Sequence, residues 1–116
     1  MDARMEECIN QCLACQRICL ETVQHCLTRG GKHADAEHIR LLLDCADICR
    51  TSADFMLRGS PLHVRTCAVC AEVCESCAES CESIGDDDTM RRCAEACRAC
   101  AESCRTMAAE AKGAAA

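Results

Sequence analysis

Apolar and small residues recur along this chain at alternating steps of three and four, which is the spacing of one face of an α-helix. The pattern is interrupted at the Gly-Gly pair of residues 30–31, at the Gly-Ser-Pro segment of residues 59–61 and at the Gly-Asp-Asp-Asp segment of residues 85–88. Glycine commonly ends helices, whereas Asp, or Ser followed by Pro, commonly begins them. The pattern therefore predicts four helices, at about 3–29, 35–58, 61–84 and 89–112.

Short segments join the four predicted helices, and helices with such short connections pack as antiparallel neighbours. A chain of 116 residues has the length of one small domain with a single core. We expect residues 1–116 to form a single domain, and its fold class to be all-α, an antiparallel up-down-up-down four-helix bundle.

Cysteine occupies most of the positions that face the predicted core, where a bundle usually has Leu or Ile. Sixteen of the residues are Cys, and together they form what we call the cysteine stripe. Its members are Cys8, Cys12, Cys15, Cys19 and Cys26 in the first helix, Cys45 and Cys49 in the second, Cys67, Cys70, Cys74, Cys77 and Cys81 in the third, and Cys93, Cys97, Cys100 and Cys104 in the fourth. The predicted bundle therefore has a Cys-lined core.

Other residues interrupt the stripe at a few positions. His and Met are borderline and soft metal ligands, so His38 and Met90 join the cysteines as candidate ligands. The methionines near the helix ends, Met5, Met56 and Met107, are interpreted as core filler.

Composition restricts the class of protein and the state of the thiols. The net charge of -6 argues against nucleic-acid binding, which requires a basic surface. No run of about 20 apolar residues predicts a membrane-spanning helix, and the first residues do not resemble a secretory signal. We therefore expect cytoplasmic localisation, where thiols stay reduced and a cysteine-rich pattern favours metal binding over a disulfide framework.

The spacing of the thiols bears on which metal they bind. Residues at i and i+4 have Cβ atoms about 5–6 Å apart, and two metal–sulfur bonds of about 2.3 Å span a comparable distance. One ion therefore fits between the thiolates of one CxxxC turn. Cu(I) accepts two or three thiolates, whereas Zn(II) prefers a closed tetrahedron of four, and no C-x2-C-x2-C run typical of iron–sulfur ligation occurs. The pattern favours Cu(I), with multiple ions per chain.

These motifs resemble a known family. The segments CLACQRIC, LLLDCADIC, CAVCAEVCESCAESC and CAEACRACAESC are similar to those of the four-helix-bundle copper storage proteins, the cytosolic branch in particular, over essentially the whole chain. The resemblance implies a homotetramer whose bundles hold many Cu(I) ions, bound mostly by CxxxC thiolates. Thr22, His38 and Met90 stand where family members often have Cys, which implies fewer ions in this chain.

Two other functions remain as alternatives to copper storage, a zinc-binding structural bundle and a thiol redox protein. A redox enzyme needs one reactive pair rather than sixteen similar thiols. No Glu-x-x-His pair of the di-iron type occurs, and the glutamates of the third and fourth helices lie off the stripe. We therefore expect no enzymatic activity. Copper ions are the expected partners, delivered by a copper chaperone or a small thiol.

The antiparallel arrangement predicts two different ends. One end, which we call the His38 end, gathers Cys26, His38, Cys81 and Met90, and the Met56 end gathers Met5, Met56, His63 and Met107. We hypothesise that copper enters at the His38 end, while the nearby His25 and His33 are interpreted as solvated surface residues.

A second apolar stripe follows the cysteines of the first helix, at Ile9, Leu13, Leu20, Val23 and Leu27, and the second helix has a similar excess. The third and fourth helices lack one. This asymmetry predicts a subunit interface through the first two helices.

Overall fold

The computed structural model describes the backbone of residues 1–115 and the side chains of residues 1–109. Four α-helices account for most of this part of the chain: α1 (Ala3–Arg29), α2 (Ala36–Leu57), α3 (His63–Ile84) and α4 (Asp88–Ala115). A short 3-10 helix, Gly31–Ala34, precedes α2. No strand occurs between residues 1 and 115, so the predicted all-α class is confirmed.

The helices form a closed ring around one long axis. Each packs against its neighbours in the chain, and α1 packs against α4 to close the bundle. The described part of the molecule measures 47 × 21 × 21 Å, as expected for long helices lying side by side. The predicted up-down-up-down four-helix bundle is confirmed, and its axis is the place where the cysteines of all four helices meet.

Side-chain caps fix the starts of the first two helices. An Asp2 carboxylate oxygen accepts a hydrogen bond from the Met5 backbone N–H at 2.8 Å. The Asp35 carboxylate accepts from the backbone N–H groups of Glu37 and His38. These bonds satisfy amide groups that have no partner within the helix, so both helices begin where the sequence has an aspartate.

The third helix begins later than the sequence predicted, at His63 rather than near Pro61. The Ser60 side chain accepts from the Leu62 N–H at 3.2 Å, and the Ser60 carbonyl accepts from the His63 N–H at 3.1 Å. Residues 60–62 thus complete a turn before the helix starts. The fourth helix begins at Asp88 and continues to Ala115, beyond the predicted end at 112, and the 3-10 helix was not predicted.

The core is built mainly of cysteine. All sixteen thiols have 0% exposure, and all are free rather than paired in disulfides. Alanines beside the stripe, such as Ala46, Ala53 and Ala78, are also buried and allow the helices to approach closely. Within the described chain, no helix is long and apolar enough to cross a membrane.

Candidate metal centre

The buried thiols form a continuous network along the bundle axis. Many pairs of Sγ atoms lie 3.5–4.0 Å apart, both within a helix and between helices. Cys49, for example, lies 3.6 Å from Cys74 and 3.7 Å from both Cys70 and Cys100. Each thiol of this kind is therefore within reach of an ion shared with several others.

The sulfur atoms gather into sets whose members all lie within 4.8 Å of one another. A set of three is near the Met56 end, and sets of four follow along the axis. They include Cys8, Cys67 and Cys104; Cys12, Cys70, Cys100 and Cys104; Cys15, Cys49, Cys74 and Cys100; Cys15, Cys19, Cys45 and Cys97; and Cys19, Cys77, Cys93 and Cys97. Because neighbouring sets share members, ions bound along the axis would have thiolates in common.

The sulfur spacing is close to what a thiolate-bound ion needs. With metal–sulfur bonds of about 2.3 Å, a planar three-coordinate ion holds its sulfurs about 4.0 Å apart and a linear ion about 4.6 Å apart. The CxxxC pairs Cys15–Cys19 and Cys70–Cys74 have sulfurs 3.9 and 3.7 Å apart. A change of about 1 Å or less in the distance between the two sulfurs would therefore accommodate either geometry.

Contacts between helices add to the CxxxC pairs that the sequence predicted. Cys8 and Cys104 lie 3.6 Å apart, and so do Cys12 and Cys104. Sequence spacing reports which residues share a helix face, so it could not show which individual sulfurs of α1 and α4 lie opposite each other. The core therefore offers bridging geometry across helices as well as ligation within one turn.

At the His38 end, three side chains of different chemistry meet. The Cys26 Sγ lies 3.5 Å from His38 Nε2 and 3.7 Å from Met90 Sδ. Burial raises the pKa of the Cys26 thiol to about 11, because a thiolate loses the solvation of water there. His38 and Met90, the two candidate ligands that are not cysteines, therefore both lie beside the protonated thiol of Cys26.

Ser80 orients His38, and sequence reasoning missed this residue because it lies off the stripe. His38 Nδ1 is 2.7 Å from Ser80 Oγ. In the tautomer protonated on Nδ1, the ring donates to the serine and its Nε2 lone pair faces Cys26. Burial lowers the pKa of His38 below its usual value. The imidazole is therefore neutral at neutral pH, the form that binds a metal.

A cluster of charged and polar side chains closes the same end, and we call it the Asp87 cluster. His25 Nε2 lies 2.9 Å from Asp87 Oδ2, and His33 Nε2 lies 3.0 Å from Asp87 Oδ1. Arg29 Nη1 is 3.6 Å from the same Oδ1. His33 is only 8% exposed, so its interpretation as a solvated surface residue is wrong, whereas the His25 side chain keeps 30% of its surface exposed. These histidines attach the α3–α4 connection to α1 and the 3-10 helix.

Hydrogen bonding from His33, with a further bond from His25, lowers the pKa of Asp87 to about 2. The absence of a side chain at Gly85 leaves room for the Asp87 carboxylate. A Cβ atom at this position would lie 2.8 Å from Asp87 Oδ1 and 2.9 Å from His33 Nε2. The glycine that ends α3 is therefore also the residue that lets the Asp87 cluster form.

The Met56 end is more apolar. Met56 and Met107 are buried, with 0% and 4% exposure, and Met56 Sδ lies 3.9 Å from Cys67 Sγ. His63 Nδ1 lies 2.8 Å from the Ser60 carbonyl, so this ring nitrogen is occupied by the backbone. Met5 is only partly buried at the edge of the core.

Comparison with known proteins relates this chain to cysteine-rich proteins. The sequence profile of the copper storage protein family matches residues 1–109. Among curated proteins, a cysteine-rich protein of Bacillus subtilis without an assigned function is 39% identical over 73 residues, covering 63% of this chain and 68% of its own length.

Several solved structures have the same fold. A protein from Nitrosospira multiformis is 49% identical, with 95% of this chain and 99% of that chain covered and a TM-score of 0.88. The Cu(I)-bound copper storage protein of Bacillus subtilis is 39% identical, with 90% and 98% covered and a TM-score of 0.85. A cytosolic copper storage protein from Streptomyces lividans, loaded with five coppers, is 33% identical, with 91% and 92% covered and a TM-score of 0.83. With its cysteine-lined bundle and a family profile that matches nearly its whole length, this chain belongs to the copper storage protein family.

Proposed function

We propose that this protein stores and sequesters Cu(I) inside its helical bundle, holding multiple ions on the thiolates of the cysteine stripe. The observation that carries the proposal is the set of sixteen free thiols, every one with 0% exposure, most of them arranged in groups whose sulfurs lie within 4.8 Å of one another. Thiolate sulfur is a ligand that favours Cu(I), and membership of a storage family agrees with a role that is not catalytic.

All sixteen cysteines are proposed as copper ligands, with His38 and Met90 as weaker ligands at the His38 end. Each Cu(I) that binds displaces a proton from a thiol, and the proton leaves to solvent. The positive ion then offsets the charge of the thiolate inside a core that could not hold sixteen bare anions. Before loading, neutral thiols allow the same core to pack as ordinary apolar side chains.

The His38 end is proposed as the place where copper enters. Neutral imidazole and thioether groups bind Cu(I) less strongly than thiolates, so they can pass an ion inward to the sulfurs of the axis. Cys26, in contact with both His38 and Met90, would be the first thiol that the ion meets. We propose a copper chaperone or a small thiol as the donor, and the cytosol as the compartment, as for the related Streptomyces lividans protein.

An anaerobic Cu(I) titration with metal counting tests the storage function against its alternatives. Sixteen thiols in closed tetrahedra of four would hold about four Zn(II) ions, so storage of Cu(I) predicts clearly more than four tightly bound ions per chain. A thiol redox protein would instead bind few or none and would show one pair that reacts much faster with an alkylating reagent. Either of those results would contradict the proposed function.

A further inference from the structure

Two residues with hydroxyl side chains lie on the same helix faces as the cysteine stripe, Thr22 on α1 and Ser52 on α2. Both are buried, with 1% and 0% exposure. Thr22 Oγ1 donates a hydrogen bond to the Ile18 carbonyl at 2.7 Å, which is the usual solution for a hydroxyl inside a helix. Ser52 Oγ has no hydrogen-bond partner among the described residues. A buried hydroxyl without a partner is unfavourable, so this one needs an explanation.

The contacts of its neighbours on α2 locate Ser52 along the axis. Ser52 lies between Cys49 and Met56 on the stripe. The sulfur of Cys49 is 3.7 Å from that of Cys70, and the sulfur of Met56 is 3.9 Å from that of Cys67. Ser52 therefore lies at the level of the α3 segment between Cys67 and Cys70.

The set of Cys8, Cys67 and Cys104 contains no residue of α2. Farther along the axis α2 does supply a thiol, because the Cys49 sulfur lies 3.7 Å from those of Cys70 and Cys100. The next core-facing position of α2 toward the Met56 end is Ser52, where a hydroxyl stands in place of a thiol.

We propose that Ser52 is a positioning residue for copper, whose hydroxyl donates a hydrogen bond to the metal-bound thiolates of the Cys8, Cys67 and Cys104 set. The proposal rests on the proposed storage function. In the copper-free bundle the sulfurs of this set are neutral thiols, which are weak acceptors, and none of them accepts a hydrogen bond from the Ser52 hydroxyl. When Cu(I) replaces a thiol proton, which leaves to solvent, the sulfur becomes an anion and a much stronger acceptor.

This hydrogen bond would stabilise the loaded state and not the empty one. The hydroxyl would offset part of the thiolate charge on the side of the set where α2 supplies no sulfur. Ser52 itself would not coordinate the ion. Thr22 would lack this effect, because its hydroxyl is already bonded to a backbone carbonyl.

The test compares Ser52→Ala with the matched control Thr22→Val, which removes the other stripe hydroxyl at nearly constant volume. Cu(I) is titrated anaerobically into each full-length protein in competition with a Cu(I) chelator, and the thermal unfolding of the copper-free forms is measured in parallel.

We expect Ser52→Ala to keep the total copper capacity but to lower the affinity for a fraction of the bound ions about threefold to tenfold, the scale of one hydrogen bond. Its copper-free form should be as stable as wild type or more stable. Thr22→Val should have the competition curve of wild type.

Two results would overturn the proposal. One is a Ser52→Ala competition curve that superimposes on that of wild type. The other is a loss of affinity accompanied by an equal loss of copper-free stability, which would show a packing role instead. Failure of the storage function itself is distinguishable, since wild-type protein would then take up no more than a few ions.

Discussion

At the scale of single residues, this core differs from that of an ordinary bundle in the chemistry that its side chains can perform. Leucine in the same positions would be buried as well, but it could not exchange a proton for a metal ion. Burial raises the pKa of Cys26 to about 11, so this thiol is protonated at neutral pH and copper must displace its proton. Copper affinity at Cys26 is therefore expected to rise with pH throughout the range below about 11.

Residue spacing predicted the cysteine stripe, along with His38 and Met90, because burial on one helix face has a periodicity that sequence displays. It could not predict Ser80, which lies off the stripe and reaches His38 from another helix. Nor could it show that Ser52 lacks a partner while Thr22 has one, since side-chain hydrogen bonds depend on packing rather than on spacing.

The proposed entrance gives a prediction about His38 and Met90. Replacing both by Ala is expected to slow Cu(I) uptake severalfold in stopped-flow measurements, because the ligands that pass copper to Cys26 are lost. The final capacity should change little, since the thiol sets along the axis remain. The matched control is the double replacement of Met56 and Met107 by Ala at the other end, which should leave the uptake rate unchanged. Equal rates in both double variants would contradict entrance at the His38 end.

At the scale of helices and their connections, the Asp87 cluster determines how the His38 end is closed. Asp87 joins the α3–α4 connection to His25 on α1 and His33 on the 3-10 helix. The antiparallel arrangement placed His25 and His33 near this end, but it could not show that both contact Asp87, because the three residues are distant in the chain and none is on the cysteine stripe. The bounds of α1 and α2 were predicted closely, whereas α3 begins at His63 because Ser60 forms a turn before it, and α4 continues past its predicted end to Ala115.

We predict that Asp87→Ala lowers the stability of the copper-free bundle by roughly 1 kcal/mol at neutral pH, the scale of a charged hydrogen bond at a partly exposed site. The folded state lowers the pKa of Asp87 to about 2. Its stabilisation is therefore complete above the ordinary aspartate pKa of about 3.9 and is lost as pH falls through about 2.

Thermal unfolding of copper-free protein between pH 7 and pH 2 measures this difference. The control is Asp86→Ala, because the Asp86 side chain is fully exposed and, among residues 1–109, is paired with Arg91. The Asp87→Ala difference from wild type should shrink at the acid end of the range. A difference that stayed constant down to pH 2 would show that the Asp87 carboxylate is not its source.

At the scale of the whole molecule, α1 presents apolar side chains to the outside as well as thiols to the inside. Leu13, Leu20 and Leu27 recur every seven residues and are 40%, 46% and 57% exposed, and Leu43 on α2 is 42% exposed. A line of exposed leucines along one helix is typical of a surface that another subunit covers. The other apolar residues of this stripe, Ile9 and Val23, pack against the core of the same chain.

We predict that the protein is a homotetramer assembled through this surface. Light scattering or native mass spectrometry should give a mass about four times that of the 12.6 kDa chain. Replacing Leu20 and Leu27 by Lys should shift the mass toward that of the monomer. The control is Val69→Lys, since Val69 is 49% exposed but lies on α3. A monomeric mass for wild type would rule out the tetramer.

In the proposed function, copper lies inside the bundle on the thiolates of all four helices. Diffraction from crystals of Cu(I)-loaded protein, with anomalous data collected on both sides of the copper absorption edge, would locate the ions. We expect several copper peaks along the bundle axis, each within about 2.3 Å of stripe sulfurs and including the set of Cys15, Cys49, Cys74 and Cys100. Copper peaks confined to the outer surface, with an axis free of anomalous signal, would contradict the proposed function.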